Sequence, residues 1–113
     1  MQKNKPLDRG DIVYLDFDKD QKGHEIKNHR PALVVTVQEY NKRNNMILCC
    51  PITNTIRNHP LEVVLPKGCR TAGAVLINHI RGFDQTTRKI YKIDQAPKDL
   101  LDEVMGKLNA LFR

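Results

Sequence analysis

The sequence predicts a mainly β domain, a small curled sheet or barrel, finished by one amphipathic helix. Three observations carry that expectation. Short apolar and β-branched runs recur between polar turns. From Pro97 onward the apolar spacing changes to the 3.6-residue period of a helix. And 113 residues is the length of one domain, residues 1–113, with a modest core.

Residues 11–17 alternate, with Val13, Leu15 and Phe17 on one face and Ile12 and Tyr14 on the other, which reads as the first strand. Residues 18–30 are polar, charged and carry Gly23, so they read as a long loop, and a long loop in a compact domain is often functional. Pro31 stops any helix before it. Residues 32–37 (ALVVTV) read as a buried strand, Met46–Thr53 (MILCCPIT) as another with Pro51 at its end, and residues 61–65 and 73–78 as two more. In the C-terminal segment Leu100, Leu101, Val104, Met105, Leu108, Leu111 and Phe112 share one helical face. Pro97 suits the first turn, and Asp99, Asp102 and Glu103 complement the helix N-terminus. That face should pack on the sheet or on a partner.

Composition narrows the function. The net charge is +6 and the pI about 9.4, which favours polyanionic partners, nucleic acid above all. With no tryptophan and few aromatics, a platform that stacks several bases on one sheet is disfavoured. No run is apolar over the ~20 residues a membrane span needs. The charged N-terminus has no apolar run behind it, so it is not a signal peptide. The expectation is a soluble, cytoplasmic protein. Three cysteines, Cys49, Cys50 and Cys69, are an odd number without metal-ligand spacing. They read as thiols in a reducing compartment, buried or partly exposed, with Cys49 and Cys50 on opposite faces of their strand.

No spacing typical of a serine hydrolase, a zinc protease or a phosphate-cradling glycine loop is present. The four histidines, His24, His29, His59 and His79, are scattered over loops and strand ends, where a histidine is most often a plain surface residue. The arginines say more. Arg30 ends the long loop directly before a buried strand, and Arg81 and Arg88 follow the last strand. A guanidinium can hold a phosphate through two parallel hydrogen bonds. The alternative for each is a solvated side chain or a structural ion pair.

Taken in order, several short motifs carry a resemblance: Arg9-Gly10-Asp11-Ile12-Val13; Arg30-Pro31-Ala32-Leu33-Val34-Val35 followed by Tyr40-Asn41; Cys50-Pro51-Ile52-Thr53; and Gly73-Ala74-Val75-Leu76 leading into Ile80-Arg81-Gly82-Phe83-Asp84, with Arg88 beyond. The chain resembles the MazF/PemK family, the toxin halves of bacterial toxin–antitoxin pairs, over nearly its whole length. The resemblance implies an SH3-like β-barrel with appended helices, assembled as a homodimer. It implies a cofactor-free, metal-independent endoribonuclease that cuts single-stranded RNA at short sequences through the substrate's own 2′-hydroxyl. The products would be a 2′,3′-cyclic phosphate and a 5′-hydroxyl. The partners would be RNA and a cognate antitoxin with an acidic, disordered segment.

Position by position, the resemblance makes Arg30 a catalytic residue and sets Thr53 near the scissile phosphate. It makes His24, Asn54, Arg81 and Arg88 RNA-binding residues. Asn78 falls where some members carry an aspartate proposed as general base, and is left as an RNA contact. Two departures matter. Residues 18–22 are one longer than the family's usual first loop, so the cut sequence cannot be carried over. Asn78-His79 replaces an acid–glutamine pair, and asparagine cannot act as a base. Either His79 takes the proton or Arg30 and Thr53 suffice with the substrate's geometry. Two rival functions share the scaffold: a gyrase poison of the CcdB type, which acts through a C-terminal tryptophan absent from Asn109-Ala110-Leu111-Phe112-Arg113, and a non-catalytic RNA-binding module.

Overall fold

A computed structural model of the chain describes residues 5–17 and 29–113. Among them, seven strands pair antiparallel. They are β1 (Asp11–Asp16), β2 (His29–Val34), β3 (Met46–Thr53), β4 (Glu62–Val64), β5 (Ala74–Leu76), β6 (Arg81–Asp84) and β7 (Ile90–Gln95). Helix α1 (Gln38–Asn44) joins β2 to β3, and α2 (Lys98–Leu111) follows β7. The strand order is β4-β5-β3-β2-β1-β7, with β6 also paired to β3.

The central strands β1, β2 and β3 are apolar on both faces, which is how two cores form on one sheet. Val13, Leu15, Ala32, Val34, Ile47 and Cys49 point to one side, closed off by Phe17 and Phe83. Ile12, Leu33, Cys50 and Ile52 point to the other, where they meet Val63 and Val75 and the α2 residues Leu100, Val104 and Leu108. Cys49 and Cys50 therefore part to opposite faces, as alternation predicts. Burying each of the three α2 side chains is worth roughly 1.5–3 kcal/mol, which docks the helix on the sheet. Phe17 and Phe83 touch edge to face with ring centroids 4.9 Å apart, although β2 and β3 stand between their strands. The sheet is thus curled around the first core into the SH3-like form. Among the described residues β6 and β7 do not pair, so the barrel stays open along that seam.

Several boundaries differ from expectation. β2 begins at His29, not after the proline, and ends at Val34. Pro31 is tolerated because β2 meets β3 only from Ala32 to Val34. The strand ends where Thr36 intervenes: its hydroxyl donates to Asn41 Oδ1 (2.6 Å) and accepts the Leu48 N–H (3.1 Å), turning the chain into α1. Asn41 is buried and donates to the carbonyls of Leu7 (2.8 Å) and Thr36 (3.0 Å), so the Tyr40-Asn41 motif is a structural staple. Residues 61–65 shorten to β4, and residues 73–78 to β5 followed by a 3-10 turn, Ile77–His79. Leu111 and Phe112, assigned to the apolar face of α2, are 42% and 73% exposed. No described helix is long and apolar enough to cross a membrane.

One glycine is demanded by geometry. Gly73 has φ +126°, and a Cβ there would lie 2.3 Å from the Thr53 carbonyl oxygen. The left-handed conformation and the collision act together, so β5 can approach β3 only with glycine at this corner. Gly73→Ala should cost about 2–4 kcal/mol, the range for a strained backbone with little room to relax. Urea titration checks this; an unchanged midpoint would mean the corner moves freely.

Candidate active site

The open end of the first core is ringed by arginines on aromatic rings. Arg30 shares the β2 face of Ala32 and Val34, so its stem continues the core and its head reaches the opening. Its guanidinium lies 5.3 Å from the centre of the Phe17 ring. Arg81 lies 5.6 Å from Phe17 and 4.7 Å from Phe83. Arg88 lies 5.0 Å from Phe83 and donates from Nη1 to the Asp16 carbonyl. A ring holds a guanidinium by its face and leaves its N–H edge able to bind an oxyanion. Ion pairs elsewhere in the fold include Arg43–Glu39, Lys92–Asp11 and Lys98–Asp102.

Arg30 and Arg81 both line a cleft of about 420 Å³. Asn78 and His79 complete its polar wall, and Phe17, Pro51 and Ile80 its apolar floor. Asn78 and His79 reach it by an interruption of the sheet. Val75 lies opposite Ile52 on β3, and Arg81 opposite Cys49. Six steps along β5–β6 therefore match three along β3, and the surplus is the 3-10 turn Ile77–His79. Ile77 anchors the triplet: it is buried, its N–H donates to the Leu61 carbonyl (2.9 Å), and its carbonyl faces the Cys50 thiol at 3.8 Å. Asn78 and His79 are left exposed at the cleft. Such an insertion re-aims side chains, a common device beside active sites.

Thr53 does not line this cleft. β2–β3 pairing ends at Ala32–Pro51, two residues short of Arg30 and Thr53, and Thr53 pairs instead with Ala74 of β5. The Thr53 hydroxyl oxygen accepts the Thr55 N–H at 3.1 Å, which leaves its proton available to a ligand. Asn54 lies exposed just past β3.

Of the residues singled out from sequence, Arg30, Asn78, His79 and Arg81 are therefore brought together. Thr53 stays outside that cleft, and Arg88 adjoins it through Phe83. Arg30 is the second residue of β2 rather than the end of a loop, and Arg81 opens β6 rather than following the last strand. His24 lies outside the described residues. Sequence reasoning missed Phe17 and Phe83 as supports; the i, i+2 spacing of Arg81 and Phe83, which places them on one face, was the available signal. Burial pushes the Cys49 and Cys50 thiols up to about 12, with the neighbouring Cys50 adding to the rise at Cys49. Both stay protonated near neutral pH and neither is a competent nucleophile. Among the described residues no group of three or more His, Cys, Asp or Glu side chains is placed to hold a metal ion.

The chain is similar over nearly its whole length to known proteins. The family model described as PemK-like, MazF-like toxin of type II toxin–antitoxin systems matches residues 8–112. Among curated proteins, the endoribonuclease toxin MazF of Escherichia coli (strain K12) is 34% identical over 105 residues, covering 93% of each chain. The endoribonuclease toxin ChpB of the same organism is 36% identical over 118 residues, covering 98% of each. Among solved structures, MazF in a MazE–MazF crystal structure from Deinococcus radiodurans superposes with a TM-score of 0.86 at 38% identity, covering 96% of this chain and 97% of that one.

Proposed function

The chain belongs to the PemK-like, MazF-like toxin family of type II toxin–antitoxin systems, and on that premise we propose that it cuts single-stranded RNA by turning the substrate's own 2′-hydroxyl on the adjacent phosphate. Its relatives are endoribonuclease toxins, and so is this protein. The observation that carries the chemistry is the convergence of Arg30 and Arg81 on one cleft, with Asn78 and His79 beside them.

The 2′-oxygen attacks phosphorus as its proton leaves. The P–O5′ bond breaks, and the 5′-oxygen takes up a proton, giving a cyclic phosphate and a 5′-hydroxyl. Because the nucleophile is already tethered beside its target, no bound water has to be activated. What remains is to align the in-line displacement and to stabilise the negative charge growing on the non-bridging oxygens. Arg30 supplies a planar pair of donors, Thr53 adds one hydroxyl donor, and Arg81 and Asn78 hold the flanking backbone. His79 brings to the cleft the imidazole that takes and returns the proton.

Purified protein incubated with a long RNA in EDTA tests the reading. Discrete fragments ending in cyclic phosphate are expected; intact RNA, or ends of the opposite polarity, would overturn it. His79→Gln keeps a hydrogen-bonding side chain but cannot shuttle a proton. It should lower the rate by about 10²-fold at unchanged RNA affinity. An unchanged rate would leave the chemistry to Arg30, Thr53 and substrate geometry. The chain should work as a homodimer in the cytoplasm. Its antitoxin should bring an acidic segment that competes with RNA for the arginine-lined mouth.

A further inference from the structure

Arg88 also lines a larger hollow, about 1030 Å³ in volume, between the segment leading into β1, helix α1, the β6–β7 turn and β7. Five cations line it, Lys5, Arg9, Lys42, Arg88 and Lys92, against two carboxylates, Asp8 and Asp11. Both carboxylates are already engaged within the fold. Asp8 accepts the backbone N–H groups of Arg9 and Gln38, each at 2.8 Å, and Asp11 accepts that of Asp8 at 2.9 Å and pairs with Lys92 at 3.1 Å. The hollow therefore presents a net positive wall. Tyr91, on that wall, is 54% exposed.

The wall is built to stay in place. Gln85 donates from Nε2 to the carbonyls of Asn41 (3.0 Å) and Met46 (3.1 Å), and its own N–H to that of Asn45 (2.8 Å), which ties the β6–β7 turn to α1. The hollow neighbours the cleft across Phe83. Arg81, in the cleft, and Arg88, in the hollow, stack on the same Phe83 ring at 4.7 and 5.0 Å.

We propose that this hollow is a second RNA subsite, which takes the stretch of single strand continuing from the cleavage cleft. Arg88 is the step between the two, Lys42 and its neighbouring cations follow the phosphates, and Tyr91 stacks a base. A basic groove with an exposed ring is how single strands are held without sequence readout. The subsite thus adds affinity and direction while leaving the choice of cut sequence to the cleft. The inference rests on the cleft being the cleavage site, and the test separates the two.

Random-sequence 2′-O-methyl oligonucleotides lack the nucleophile and serve as uncleavable probes, one short and one long, of about 4 and about 12 nucleotides, the range of single-strand site sizes. Fluorescence anisotropy should show the long probe binding more tightly to the unaltered protein. Tyr91→Ala should weaken the long probe by roughly 5- to 150-fold, one stacked base. Lys42→Ala should lower its salt slope by about 0.7, one phosphate contact on a single strand. Neither variant should change short-probe binding or the cleavage rate of a short RNA. Equal affinity for both probes, or variants that leave the long probe untouched, would overturn the subsite. Variants that spare the long probe but lose a polyglutamate peptide would make the hollow a protein-docking surface instead. Failure of the cleft reading would appear separately, as absent cleavage and absent short-probe binding in the unaltered protein.

Discussion

Arg30→Ala should slow RNA cleavage by ~10²–10⁴-fold with the fold intact, the range for removing a group that transfers a proton or stabilises transition-state charge. Magnitudes separate this outcome from a structural one. Arg30 is exposed, and its visible stabilising contact is the stack on Phe17, worth about 0.5–1 kcal/mol at an exposed site. Against a total stability of about 5–15 kcal/mol that loss is small. A rate loss of that size is about 2.7–5.4 kcal/mol of activation energy, so activity must fall far more than stability does. Arg30→Lys should recover only part of the rate, because an ammonium keeps the charge without the planar fork. Arg43→Ala, at an exposed arginine on α1 paired with Glu39, is the control and should cleave normally. If Arg30→Ala lowers the melting temperature while cleavage per folded molecule stays near the unaltered value, Arg30 is a structural residue.

Phe83→Ala should cost ~3–5 kcal/mol of folding stability, the usual loss for a buried phenylalanine. Phe83 is 2% exposed, closes the first core and packs edge-on against Phe17. A loss of this size could exhaust the stability of a marginal domain. The milder Phe83→Leu separates packing from support, since leucine fills most of the volume but offers no ring to Arg81 or Arg88. It should fold, with a lower urea midpoint, and its cleavage rate per folded molecule should still fall several-fold as two guanidiniums lose their seat. A folded Phe83→Leu protein with full activity would show that the arginines need no ring beneath them.

The strands legible in the sequence were those whose patterning is strong. β1 alternates, β3 is a continuous apolar run, and α2 repeats Leu100, Val104 and Leu108 at helical spacing. What escaped has weak or polar patterning. Helix α1 (QEYNKRN) buries only Asn41, so it has no apolar stripe to find. β7 is an edge strand carrying two lysine-and-acid positions, Lys92 and Asp94, and stays mostly exposed. β6 contributes a single buried residue, Phe83. For the site, motif order singled out Arg30, Thr53 and Arg81. The contact between Phe17 and Phe83 could not be read, because it depends on how far the sheet curls, which is a property of all the strands together.

The triplet ejected between β5 and β6 divides responsibility within the chain. Pairing with β3 resumes in phase on its far side, and only Ile77 is tied into the core, so the sheet does not respond to what the next two positions carry. An amide, an imidazole or an acid at residues 78 and 79 alters the cleft while the strands on either side keep their partners. Asn78→Asp and His79→Gln are then substitutions that folding barely feels, within the roughly ±0.5 kcal/mol of ordinary surface changes. A scaffold with that arrangement can try out different proton-handling groups one residue at a time, each variant still a folded protein, whereas the same experiment on a core-facing strand position would be lost to misfolding before any chemistry could be sampled.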